Sequence, residues 1–128
     1  MQLRKVILLG LVALTLTAAD SALANSTDDA VARANAMAYE ASMKCFVANG
    51  HAIGLRKRAG DEAKAALSEA KARQSFDTAQ KLGRLLGFSD DRINQDFALA
   101  QTRELPPMVT DDSYFLKAVA TCKALGLM

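Results

Sequence analysis

The chain has 128 residues, 51% of them apolar, with 16 basic and 14 acidic side chains. The two signs of charge are interspersed along its length, which argues against a nucleic-acid groove or a polybasic membrane patch. Two Tyr, five Phe and no Trp stand against 20 alanines between Ala30 and Ala124. A core filled largely with alanine is weak per residue, each buried methyl contributing only about 0.8 kcal/mol, and needs close helix approach or a staple.

Residues 2–5 include Arg4 and Lys5, residues 6–19 form an unbroken run of apolar and small side chains, and Ala22-Leu23-Ala24 offers a small-x-small site. That is the pattern of a Sec-type signal peptide, cleaved between Ala24 and Asn25. The apolar run is closed by Asp20 and is shorter than the roughly 20 residues a bilayer span needs. No cysteine follows it to accept a lipid. The expected product is a soluble protein, periplasmic or secreted, with no membrane anchor after processing. It comprises residues 25–128 as a single helical domain of net charge about +1.

No strand pattern occurs, and helical punctuation is frequent. Ser26-Thr27-Asp28-Asp29 supplies a capping hydroxyl and first-turn acids for a helix over about residues 28–59. Asn49-Gly50 looks like a terminator. However, Val31, Ala34, Ala38, Ala41, Cys45, Ala48, Ala52, Leu55 and Ala59 keep one phase across it, which predicts an unbroken helix. Gly60-Asp61 ends it and caps a second helix, whose stripe is Ala65, Ser68, Ala72, Ser75, Phe76, Ala79, Leu82, Gly83 and Leu86. Two stripes of small residues joined at Gly60 predict a long antiparallel hairpin with closely spaced axes. Gly87 stops the second helix, and Ser89 with Asp90 and Asp91 opens a short third carrying Ile93, Phe97 and Ala100. Pro106-Pro107 is expected to break the chain, leaving Glu104–Met108 as a stiff loop able to present Leu105 and Met108 outward. Thr110-Asp111-Asp112 caps a fourth helix to about Leu125, with Phe115, Ala118, Val119, Cys122 and Leu125 on one face. The fold class is all-α: a four-helix bundle with a long N-terminal hairpin.

Cys45 and Cys122 both fall on inward stripes, and export would bring them to a compartment where disulfides persist. An intramolecular bridge across 77 residues would contribute about 4.5 kcal/mol by loop-closure entropy. A metal site or a reactive thiol is the alternative. Without Cys-x-x-Cys spacing or clustered histidines, zinc is disfavoured. His51, the single histidine, shares a solvated lane with Arg33, Glu40, Lys44 and Arg58. It has no recognisable Ser/Asp or Cys partner for catalysis, and Cys-x-x-Cys-His, which covalent haem needs, is absent. No cofactor, metal or catalytic residue is assigned.

Two features point to protein contact. Ala32, Ala36, Tyr39, Met43, Phe46, Gly50 and Ile53 form a second apolar stripe on the first helix. Either the third and fourth helices cover it, or it is a partner or homodimer surface, with Tyr39, Met43, Phe46 and Ile53 as the contacts. Arg56, Lys57 and Arg58 complement the C-terminal end of the helix dipole, or anchor an acidic partner. The layout of one cysteine in the first helix and one in the last resembles the type VI secretion amidase immunity proteins. The likeness is carried by Met43-Lys44-Cys45-Phe46 and Ala120-Thr121-Cys122-Lys123. It implies a small periplasmic protein that binds and blocks a peptidoglycan-cleaving toxin, and it transfers no functional residue. The acid-stress periplasmic chaperones are similar in having a single disulfide across a short helical bundle. The expected function is non-enzymatic protein–protein interaction, as an immunity or inhibitor protein. A stress chaperone is the first alternative, and an enzyme or small-anion-binding protein the second.

Overall fold

The computed structural model describes the backbone of residues 13–128 and the side-chain environments of residues 26–128. Arg4, Lys5 and much of the apolar run of the expected signal peptide lie outside the described residues. Four helices follow one another: α1 (Ala13–Arg58), α2 (Glu62–Leu85), α3 (Asp90–Thr110) and α4 (Asp112–Ala124). No strand occurs among the described residues. The chain divides into two compact units, Met1–Ala34 and Asn35–Met128. In the first, residues 26–34 are exposed, and the buried core belongs to the second.

Helix α1 does not begin at Ser26. It already runs at Ala13, so Ser26-Thr27-Asp28-Asp29 is helix interior in the full chain. The Ala- and Leu-rich residues upstream are strong helix formers and carry the helix into that segment. At the other end the expectation holds: Asn49 and Gly50 are both helical, and α1 stops at Arg58. Gly60, Gly87 and Gly126 then close α1, α2 and α4 with one device. Each takes positive φ, and the residue after it donates its backbone N–H five residues back, at 2.9, 2.9 and 2.8 Å. Asp61, Ser89 and Asp111 cap the N-termini of α2, α3 and α4 by accepting from Lys64, Arg92, and Ser113 with Tyr114.

Helices α1 and α2 form the expected antiparallel hairpin. Arg56 donates to the Lys64 carbonyl and the Ser68 hydroxyl near the turn. Phe46 meets Phe76 midway, and Tyr39 lies against Gly83 at the far end. The α2 stripe of Ala65, Ser68, Ala72, Ser75, Ala79 and Gly83 is buried throughout, as are Cys45, Ala48 and Ala52 on α1. Gly83 is required by close approach: a Cβ there would sit 2.7 Å from Ile93 Cδ1 and 3.0 Å from Tyr39 Cε2.

Helix α3 departs from the sequence expectation. It continues through Pro106 and Pro107 to Thr110 as 21 residues. The two rings remove two backbone N–H donors, at about 3 kcal/mol for a proline in a helix interior. Burial offsets this: Ile93, Phe97, Ala100, Glu104 and Met108 form one stripe, and Met108 is only 1% exposed. Met108 is therefore a core residue and Glu104–Met108 is no loop. Only Leu105 of that expected pair is presented outward. On α4, Leu125 proves exposed. The turn at Gly126 folds Leu127 into the core in its place.

Helix α4 is tied to α1 by the Cys45–Cys122 disulfide, with the two Cα atoms 5.6 Å apart and both residues fully buried. Asn49, one turn beyond Cys45, donates through Nδ2 to the Cys45 carbonyl (2.9 Å) and the Leu127 carbonyl (2.7 Å). It thereby holds the chain end beside the bridge.

Candidate functional site

The second apolar stripe of α1 turns inward along much of its length. Tyr39 and Met43 are 5 and 4% exposed, so the fold itself covers these two expected contact residues. Tyr39 donates to Asp96 Oδ2 at 2.8 Å, and Phe88 packs edge-on against its ring at 5.4 Å. Burial and then the bond to Asp96 push the tyrosine pKa well above its ordinary range. Phe46, half-buried, meets Phe76 and Phe97 at 5.9 and 5.2 Å. Ile53 is also half-buried. Helix α3 supplies Phe97 and Asp96, so the intramolecular alternative describes Tyr39, Met43 and the inner side of Phe46.

The basic triplet separates into different roles. Arg56 ties the hairpin through Lys64 and Ser68, and Lys57 pairs with Glu69 at 3.3 Å. Arg58 is exposed and has no ion-pair partner among the described residues.

Glu104, expected in a loop before the prolines, is a buried carboxylate on α3. The Tyr114 hydroxyl donates to it, Arg103 Nε lies at 3.2 Å and Lys44 Nζ at 3.7 Å. Burial alone would raise its pKa. The Tyr114 bond and the two cations outweigh that and hold it below the ordinary carboxylate value. His51, expected on a solvated lane, is half-buried with its ring edge-on to Phe115 at 4.8 Å. Burial first, then Arg58, lower its pKa, and Asp112 only partly opposes them. Both groups thus have folded pKa values below their unfolded ones, so the unfolded chain binds more protons and both favour the folded state at neutral pH. The denaturant midpoint is expected to fall on acidification from pH 7. His51 contributes as pH drops below its unfolded value of 6.5, and Glu104 below 4.5. Urea titrations across that range check this, and Glu104→Gln should flatten the more acidic limb.

The outward side of the same stripe opens into a groove of about 410 Å3 between α1 and α3. Gly50, His51 and Gly54 line the α1 side, and Gln101, Leu105 and Val109 line the α3 side. Phe46 and Val47 close one end and Arg58 the other. Leu105 and Val109 are 39 and 58% exposed, large values for apolar side chains. The two glycines are the informative feature. A Cβ on Gly50 would meet nothing within 4 Å, and one on Gly54 only the flexible end of Arg58 at 3.3 Å. Internal packing, which explains Gly83, does not explain either of them. Each destabilises the helix by about 1 kcal/mol relative to Ala. Their i, i+4 spacing leaves bare backbone on one face, where another chain can approach closely.

Both cysteines are in the bridge, and no group of three or more His, Cys, Asp or Glu able to hold a metal occurs among the described residues. No helix among them is long and apolar enough to cross a membrane. Comparison of the chain with protein-family models, curated proteins and solved structures finds no match.

Proposed function

We propose that this is a small exported helical protein that acts by protein–protein contact rather than catalysis, as an immunity or inhibitor protein in the periplasm or outside the cell. The observation that carries the reading is the glycine-floored groove. Exposed Gly50 and half-buried Gly54 weaken α1 and satisfy no internal packing need, while Phe46, Leu105 and Val109 surround them with apolar surface. A helix or extended segment of a partner laid there would bury Leu105 and Val109 and use the bare backbone for close approach. Arg58 at the end of the groove favours an acidic residue in that segment. The contact residues of this reading are Gly50, Gly54, Leu105 and Val109, with Phe46 and Arg58 from the expected set.

The test is recovery of a partner from periplasmic extract by the domain 25–128, in wild-type and Gly50→Leu forms. Wild type should retain one stoichiometric protein, and Gly50→Leu should lose it while keeping its helix content. Equal recovery by both forms rules out the groove. Weak retention of many unfolded chains favours the stress-chaperone alternative. As an independent check, Gly50→Ala should stabilise the isolated domain by about 1 kcal/mol. Destabilisation would mean that Gly50 serves the fold itself.

A further inference from the structure

The groove between α1 and α3 is edged by a ridge of its own pitch. Gly50 and Gly54, four residues apart, line it on α1. Leu105 and Val109, also four residues apart, stand exposed beside it on α3. Helices pack when ridges of residues spaced four apart enter grooves of the same spacing. One face of this chain therefore carries both halves of a helix–helix contact. Within the molecule the halves do not fill each other: a Cβ on Gly50 would meet nothing within 4 Å, and both apolar side chains remain in water.

Helices α1 and α3 run in the same direction. Tyr39 bonds Asp96, and Lys44, further along α1, pairs with Glu104, further along α3. A two-fold axis parallel to these helices turns the face onto itself, so that α3 of each copy lies over α1 of the other at the same height. Leu105 and Val109 of one copy then meet Gly50 and Gly54 of the other, and the reverse contact forms by symmetry. The charges follow the same order. One turn beyond Gly54 stands Arg58, and just beyond Val109 stands Asp112, at the start of α4. Both are exposed, and neither has an ion-pair partner among the described residues. Both charges act on His51, a lining residue, so both lie beside the groove. Seating the ridge in the groove brings these opposite charges together across the interface, twice per dimer.

We propose that a second copy of this chain fills the groove when no other protein does, forming a symmetric dimer through Gly50, Gly54, Leu105 and Val109 with Arg58 facing Asp112. The dimer rests on the reading of this groove as a contact surface, and it names the occupant in the absence of another protein. The apolar patch is small, which places the contact at the weak, exchangeable end of protein interfaces. A different protein that fits the same groove therefore displaces the second copy.

Sedimentation velocity of the domain 25–128 from about 10 μM to 1 mM tests this, and a monomer–dimer equilibrium within that range is expected. Gly50→Leu fills the groove and Val109→Asp removes the ridge; each should weaken dimerisation at least about tenfold with helix content unchanged. Arg58→Asp or Asp112→Arg alone should weaken it about threefold or more, and the double reversal should restore it, because the pair re-forms with opposite sense. A monomer across the whole range overturns the proposal. So does a dimer unaffected by Val109→Asp, or a double reversal no tighter than either single one. Failure of the dimer is distinct from failure of the proposed function. A monomer whose capture of another protein still depends on Gly50 loses only the dimer, whereas a Val109-dependent dimer whose Gly50→Leu form captures that protein as wild type does loses only the immunity contact.

Discussion

Replacing Cys45 and Cys122 together by Ala is expected to destabilise the domain 25–128 by about 4.5 kcal/mol. The bridge spans 77 residues, most of the domain, so its loss returns a large loop-closure entropy to the unfolded chain. Domains of this size have only about 5–15 kcal/mol in total, and the buried stripe of α2 here is made of Ala, Ser and Gly alone. The melting temperature should fall by roughly 20 °C or more, and dithiothreitol should do to wild type what the double substitution does. Urea unfolding with and without reductant measures it. Coincident midpoints would show that the helices hold α4 without the staple. If the loss is found, protein held under reducing conditions will be poorly folded.

Ile93→Ala is expected to destabilise by about 2–5 kcal/mol. Ile93 is 1% exposed and the largest of the fully buried side chains. It packs onto bare backbone at Gly83, with Tyr39 on the same spot. The converse change, Gly83→Ala, drives a Cβ to within 2.7 Å of Ile93 Cδ1 and 2.8 Å of its Cγ1. Overpacking of that kind destabilises by about 1–3 kcal/mol. Because the two positions share one space, their effects should not add. In the double variant the new methyl occupies part of the cavity left by Ile93, and a thermodynamic cycle should give a favourable coupling of roughly 1 kcal/mol or more. Additive effects would sink the claim that α2 and α3 meet through this contact.

Much of the bundle is legible from local pattern. The α2 stripe from Ala65 to Gly83 is buried as its 3.6-residue period requires, and the phase kept through Asn49-Gly50 carried α1 past an apparent stop. Asp61, Ser89, Asp111 and the three glycine turns are local chemistry, readable because a cap or a positive φ needs only its neighbours. The pairing of Cys45 with Cys122 followed from having two inward cysteines on different helices.

Other features had no local signal strong enough to decide them. Pro106-Pro107 reads as a break because proline removes hydrogen bonds within its own helix. What keeps α3 intact is the burial of Met108 and Glu104, contributed by residues distant in sequence. Glu104 continues the Ile93–Phe97–Ala100 stripe one turn further, a signal that becomes visible once the helix is allowed through the prolines. Likewise, Asn49 lies one turn from Cys45 but reads as a terminator, because its partner Leu127 is 78 residues away.

The sequence by itself determined the helix boundaries at Gly60-Asp61, at Gly87-Ser89 and at Asp111, which faces are apolar and which cysteines can meet, since those depend on contacts within a turn or two. Only the tertiary structure decided which apolar face remained uncovered. Tyr39 and Met43 belong to the same stripe as Gly50, yet α3 covers the first two and leaves an open groove beside the third. Periodicity fixes direction around a helix axis; exposure along it depends on where a neighbouring helix crosses and diverges.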